Sequence, residues 1–443
     1  MRHRILGCVV LAAFTAACGG GDGPTTPGPA GGAADGPAAF AYVANGVGMI
    51  DILAIGGDGS LTLLETLPET DTREDAIDRV LGFDATRDRL YVPGMTSIRG
   101  YQIDRGTGRL RPLAGSPFRG TGFTPEFTEV DPRGRFLYVA GVDFTSCRTC
   151  PDFLRSYAID AGSGALTETV GSPYSTPNFQ RNLVVDPAGR YVIVSSRTNA
   201  YGAQTRLTVF DVSADGRLQE RPQSPFSIRG RVRSVAPSGA FLLSADGDVV
   251  TYSLAGTPAE LASAPLDGQS SSFFSGFALS SSGRLALAGS EDASFNRGKL
   301  FPFQVAPDTG ALRAAPVVND GTGADAILID PSETLVFTAG DSVSNMERQM
   351  VRGYAVEPGS ASLRAAPDSV VALPRAVGDT GTHVRLFQDP SGRFLYVVRT
   401  GEIRGFAVAR DTGRLTELPG FPVVLDASKR SITAQVVVVA ARR

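Results

Sequence analysis

Residues 131–141 read DPRGRFLYVAG, and the same stretch returns in altered form along the whole chain. It appears as DATRDRLYVPG from Asp84, DPAGRYVIVSS from Asp186, APSGAFLLSAD from Ala236 and SSSGRLALAGS from Ser280. It continues as DPSETLVFTAG from Asp330 and DPSGRFLYVVR from Asp389, while FAYVANG from Phe40 keeps the strand without the turn. Asp-Pro-x-Gly is turn chemistry: proline presets φ and glycine accepts positive φ. The run that follows, Phe136-Leu137-Tyr138-Val139, is apolar or aromatic at every position rather than alternating, as a strand covered on both faces requires.

A second element trails each of these, recurring at intervals of about 50 residues, the spacing of a stacked repeat. Examples are IRGYQIDRGTGRL from Ile98, LRSYAIDAGSGAL from Leu154 and IRGFAVARDTGRL from Ile403. Its strand alternates, as in Tyr157-Ala158-Ile159-Asp160, so one face meets solvent, and a Gly-rich turn closes it. A third signature follows in several copies: GSPFRG from Gly115, GSPYST from Gly171 and QSPFSI from Gln223. Four short strands per repeat with no helical periodicity describe an all-β chain folded as a β-propeller. Eight repeats are counted; seven is the alternative if one is distorted. The first repeat lacks its first strand, and ITAQVVVVA (432–440) is a strand with no blade after it. Pairing the two closes the ring and removes both open edges.

The composition agrees. Glycine (52) and proline (29) are abundant and tryptophan is absent in the 443 residues, which is turn-rich and β-leaning. A net charge of −3 shows no basic surplus, which argues against nucleic acid as a partner. The start, MRHRILGCVVLAAFTAAC, has a basic beginning, a short apolar run and small residues at its end. That is an export signal over residues 1–17, too short for a spanning helix. Residues 18–39 are rich in Gly and Pro and read as a non-packing tether, and the propeller occupies 40–443.

The pattern SPF…DPxGRFLYVA…YxID…TGxL resembles the propeller lactonase family, which includes 6-phosphogluconolactonase-like and muconate-lactonising types. The resemblance covers residues 40–443 and rests on turns and core strands. Members of that family are similar to seven-bladed propellers, so eight repeats is a departure. The end of the signal, FTAAC, resembles a bacterial lipoprotein processing site with Cys18 as the lipidated residue; Gly19 after it implies the outer membrane. The membrane is then met through the lipid anchor only.

In propellers, ligands meet the first strand of each blade where the chain enters it. The segments just before the DPxG turns carry Asp78 and Arg79, Glu126 and Glu129, Arg181 and Asn182, Arg231 and Arg233, Ser275, Asp325, and His383 and Arg385. Arginine forks suit carboxylate or phosphate, so Arg79, Arg181, Asn182, Arg231 and Arg233 form the expected ligand-binding set. An alternative is that these residues form structural ion pairs around a polar channel. Lactone hydrolysis needs a base and a positive group near the carbonyl oxygen; His383, Arg385 and Glu126 are the candidates. No metal or cofactor motif is present: G-x-S-x-G, H-E-x-x-H and Walker patterns are missing, and GGDGS (56–60) and ADGD (245–248) read as hairpin turns. Cys147 and Cys150 lie in an insertion between the second and third strands of one blade. They are expected to form a local disulfide outside the cytoplasm.

Two functional expectations follow. One is an envelope lipoprotein whose propeller is a monomeric binding or interaction module, for a small anionic ligand or an envelope protein. The other is a lactonase acting on a sugar or carboxylate lactone.

Overall fold

A computed structural model describes residues 36–44, 49–68, 81–142, 152–177, 180–197, 204–266, 274–290, 298–319, 324–341, 348–366, 370–374, 384–399, 401–425 and 435–442. The described residues form eight antiparallel sheets, each built on four strands in sequence order from the inside out. Blade 1 is the exception in chain order: its innermost strand, Gln435–Ala440, comes from the far end of the sequence and pairs with Ala39–Ala44 in register, Ala39 facing Ala440 and Ala44 facing Gln435. The innermost strands of blades 2 to 8 are Gly82–Asp84, Thr124–Val130, Gln180–Val185, Arg231–Val235, Phe274–Leu279, Ala326–Ile329 and Arg385–Gln388. The fold is an eight-bladed β-propeller, and the ring closes as the sequence implied.

The core shows why the middle of each second strand is apolar on both faces. Eight buried apolar clusters occur among the described residues, one at each seam between neighbouring blades. A row of eight sheets would have seven seams; the eighth belongs to a closed ring. Side chains alternate across a strand, so one second strand feeds two seams. In blade 3, Leu137 and Val139 pack toward blade 2 while Phe136, Tyr138 and Ala140 pack toward blade 4.

The DPxG turn is more than proline and glycine. Its Asp is buried and accepts the backbone N–H five residues on: Asp131 from Phe136 (3.0 Å), Asp330 from Leu335 (2.8 Å) and Asp389 from Phe394 (2.8 Å). Ser280 performs the same role with its hydroxyl, accepting from Leu285 at 3.1 Å. Gly134 takes φ +64° in this turn, with the Asp84 carboxylate of the preceding blade where a Cβ would stand. In blade 7 the glycine is replaced by Glu333, which still adopts φ +57° and accepts hydrogen bonds from Ser281 and Ser282 of blade 6.

The remaining signatures meet each other across the seams. The strand Phe of one blade lies against the positive-φ glycine in the outer hairpin of the next: Phe40 on Gly108, Phe136 on Gly216 and Phe394 on Gly59. Two residues on, and therefore on the same face, the Tyr donates to that glycine's carbonyl. Tyr42 reaches Gly108 at 2.8 Å, Tyr91 reaches Gly164 at 2.9 Å, and Tyr396 reaches Gly59 at 2.9 Å, the last joining blade 8 to blade 1. In blade 2 Arg89 replaces the Phe and donates to three carbonyls of the same hairpin, at Asp160, Ala161 and Gly162. The serine of the SPF signature accepts the third strand's N–H, Ser116 from Gly100 (3.0 Å) and Ser224 from Val209 (3.1 Å).

Candidate functional site at the channel mouth

Because the innermost strands of blades 2 to 8 end at the DPxG turn or its variants, they begin at the opposite end of the ring, where Gln435 of blade 1, facing Ala44, also begins its strand. The second strand of each blade runs antiparallel and finishes there too: Gln180 faces Ser196 and Arg231 faces Ala245. One mouth therefore collects the first residues of eight inner strands and the last residues of the second strands.

In four consecutive blades, 3 to 6, the register of the inner strand shifts near its start, in blade 6 between Phe274 and Phe277. Phe127 and Pro125 face Ala140 and Gly141, leaving Glu126 as the extra residue. Gln180 and Asn182 face Ser196 and Ser195, leaving Arg181. Val232 and Ser234 face Ser244 and Leu243, leaving Arg233. A bulge withdraws one residue from the ladder and re-aims its side chain. Three of the expected site residues are thus the bulged residues of blades 3, 4 and 5.

Blades 4 and 5 bring four guanidiniums into one electrostatic neighbourhood. Arg231 is pushed down to about 10, first by burial and then by the charges of Arg197 and Arg181, with Asp246 acting the other way. Arg233 is also pushed down to about 10, by burial and then by Arg231 and Arg197. Asp246 is raised, because burial outweighs the pull of Arg231, Arg233 and Arg197. Burial opposes charge of either sign here, and the arginines remain cations at neutral pH. Beneath them Asn182 ties the two blades, its Nδ2 donating to the Val232 carbonyl at 3.4 Å, while its Oδ1 accepts from Leu183 N at 3.0 Å.

Polar groups of other blades also stand at the mouth. Arg385 in blade 8 is buried, with Nη1 donating to the Val384 carbonyl at 3.0 Å. Gln435 in blade 1 is buried and bonds both backbone groups of Leu81 in blade 2. Deeper along the blade 3 inner strand, Glu129 has its carboxyl pushed up to about 8 by burial. Arg79, His383, Cys18, Cys147 and Cys150, like the signal and most of the tether, lie outside the described residues. Among the described residues no group of three or more His, Cys, Asp or Glu side chains could hold a metal ion, and no helix is long and apolar enough to cross a membrane.

Sequence reading alone did not single out Arg197, the last residue of strand Tyr191–Arg197, or Asp246, in the hairpin after strand Phe241–Ala245. Their signal was positional: in an antiparallel pair, the end of the second strand reaches the mouth along with the start of the first.

No protein-family model and no curated protein matches the chain. Among solved structures the fold resembles a candidate 6-phosphogluconolactonase from Bacteroides uniformis, with TM-score 0.51 and 15% identity over 90% of this chain and 100% of that one. It also resembles the dihydro-heme d1 dehydrogenase NirN in complex with DHE (TM-score 0.55, 12% identity, 92% of this chain and 77% of that one). A third is Chaetomium thermophilum Sqt1 bound to the N-terminus of the ribosomal protein L10 (TM-score 0.51, 18% identity, 82% and 95%). The class of protein is the β-propeller. At these identities the likeness is one of fold, and three neighbours with three different occupations show how little the fold says about activity.

Proposed function

We propose that this chain is a cell-envelope lipoprotein, anchored through Cys18, whose propeller binds a small anion at the arginine-bearing mouth. The observation that supports this reading is the gathering of Arg181, Arg231 and Arg233 from adjacent blades into one partly buried neighbourhood. An incoming carboxylate or phosphate relieves the repulsion among those guanidiniums and accepts charge-assisted hydrogen bonds from their forks. The resemblance to lactonases frames the competing activity, with His383, Arg385 and Glu126 as its machinery.

Isothermal titration of the purified protein with a sugar lactone and with its ring-opened acid separates the two. Binding of the acid, with no consumption of the lactone, supports the binding module. Replacing Arg181, Arg231 and Arg233 together by Gln is then expected to weaken capture by two orders of magnitude or more, each charged hydrogen bond being worth roughly tenfold. Steady lactone hydrolysis that disappears in His383→Ala overturns this reading in favour of the enzyme.

A further inference from the structure

We infer that the mouth end of the seam between blades 3 and 4 seats one monovalent cation among the side-chain oxygens of Asp152, Gln180, Ser196 and Thr208. The site stands apart from the anion reading above and does not depend on it. Two observations carry it.

The first is a set of buried oxygens that the protein itself leaves unsatisfied. Along the second strand of blade 4, Val192 and Val194 pack on blade 3, and Ser196 comes next on that face. On the third strand Phe210 packs the same way, and Thr208 stands two residues nearer the mouth. Gln180 faces Ser196 across the inner pair, and its Nε2 donates to blade 3, at the Phe153 carbonyl (3.2 Å) and at Thr176 Oγ1. Asp152 of blade 3 meets it from the other side, Oδ2 accepting from Gln180 N at 2.9 Å. Asp152, Thr176, Gln180, Ser196 and Thr208 are each at most 3% exposed. Yet Gln180 Oε1, Ser196 Oγ and Thr208 Oγ1 have no hydrogen-bond partner among the described residues. Buried polar atoms are costly in that condition unless a guest satisfies them. The amide oxygen can only accept, so the guest must donate or be positive.

The second is the ring's own repetition. DPSGRFLYVVR from Asp389, laid on DPAGRYVIVSS from Asp186, puts Arg399 where blade 4 has Ser196. VRGYAVE from Val351, laid on LRSYAID from Leu154, puts Gln349 of blade 7 where blade 3 has Asp152. Each of these two pairs with the residue before a proline, Asp152 with Thr176 and Gln349 with Leu373. Between blades 7 and 8 the place is filled by the buried guanidinium of Arg399. Its Nη1 donates to Gln349 Oε1 at 3.4 Å and to the Pro374 carbonyl at 2.5 Å, and its Nε donates to Glu402 at 2.7 Å. In blade 4 a hydroxyl replaces that guanidinium, and in blade 3 a carboxylate replaces the amide. The exchange removes a positive charge and adds a negative one, and a bound cation restores the arrangement seen between blades 7 and 8. Hard oxygen donors, all but one of them neutral, suit an alkali cation rather than a transition metal.

The test follows thermal melting of the purified full chain as sodium chloride or potassium chloride is raised, with tetramethylammonium chloride keeping the ionic strength constant. Tetramethylammonium supplies the same screening and is too large for a buried seat. The melting temperature is expected to climb by roughly 2 °C for each tenfold rise in sodium or potassium, and the ion that acts at lower concentration identifies the occupant. Asp152→Asn, which still accepts the Gln180 N–H, is expected to move that climb to at least tenfold higher concentration. If this variant fails to fold, Thr208→Val keeps the shape of the side chain, removes one donor oxygen and is expected to move the climb the same way. Melting that ignores both ions leaves a bound water as the guest and overturns the cation. A climb that neither substitution moves puts the ion elsewhere and overturns the seat. Both results leave the anion reading untouched, because its titrations with lactone and acid turn on other residues.

Discussion

Tyr138 and Tyr396 occupy the same place in two repeats, and the structure gives them opposite mutational signs. Both are fully buried in seams. Tyr396 donates to the carbonyl of Gly59 at 2.9 Å and so joins blade 8 to blade 1. Its ring also stacks on Phe387, centroid to centroid 4.8 Å. The equivalent carbonyl for Tyr138 belongs to Gly216, and it is taken by the Ser156 hydroxyl at 3.2 Å. The Tyr138 hydroxyl has no partner among the described residues. Tyr396→Phe keeps the ring but leaves a buried carbonyl without its donor, which costs about 1–2 kcal/mol. Tyr138→Phe removes a hydroxyl that was desolvated without a returning bond, and the expected change is neutral to about 1 kcal/mol stabilising. Urea unfolding of the two variants beside the parent, at matched slope, reads the difference directly as a shift in midpoint. The Tyr396 variant should unfold at lower urea and the Tyr138 variant at equal or higher urea. Equal destabilisation of both would refute the claim that the hydroxyl–glycine bond, rather than the ring, distinguishes these positions.

Two further outcomes follow from the same architecture. Glu129 has its carboxyl raised from 4.5 to about 8 by burial. Between those pH values the folded protein keeps the proton that the unfolded chain has lost, so stability falls as pH rises from about 4.5 through about 8, by up to a few kcal/mol. Glu129→Gln should flatten that slope in urea midpoints measured from pH 5 to pH 8.5, and an unchanged slope would exclude Glu129 as its source. Deleting residues 435–443 removes Val436, Val437 and Val439, each at most 2% exposed, from blade 1. Burial of roughly 5 kcal/mol goes with them, and the inner edge of Ala39–Ala44 is opened. Calorimetry should then show no cooperative transition, whereas a melt within a few degrees of the parent would mean the ring does not need this closure.

The repeat, the strand order and the closure were legible in the chain because each rests on local chemistry. Asp-Pro-x-Gly specifies a turn, an apolar run of strand length specifies a doubly covered strand, and a missing first strand at one end matches a spare strand at the other. The Phe-x-Tyr pair was written in three copies, at Phe40, Phe136 and Phe394, and an outer-hairpin glycine in the blade after each. Its purpose emerged only when neighbouring blades were seen to meet, since the two signatures that interlock belong to different repeats.

The mouth was legible as a region and not as a site. Alternation along a strand tells which way a side chain points only while the register holds. Bulges at Glu126, Arg181 and Arg233 shift that register by one residue at the position where direction matters most. Arg197 and Asp246 sit at strand ends with no motif of their own, and became relevant because antiparallel pairing carries them to the mouth. By itself, then, the sequence determined a closed β-propeller, with eight repeats counted and seven as the alternative, and the end at which its polar residues gather, through turn chemistry and apolar pattern repeated copy after copy. Where the register breaks, and which strand ends pair beside the inner strands at the mouth, was decided by the tertiary structure, because bulges and cross-strand pairing have no period along the chain.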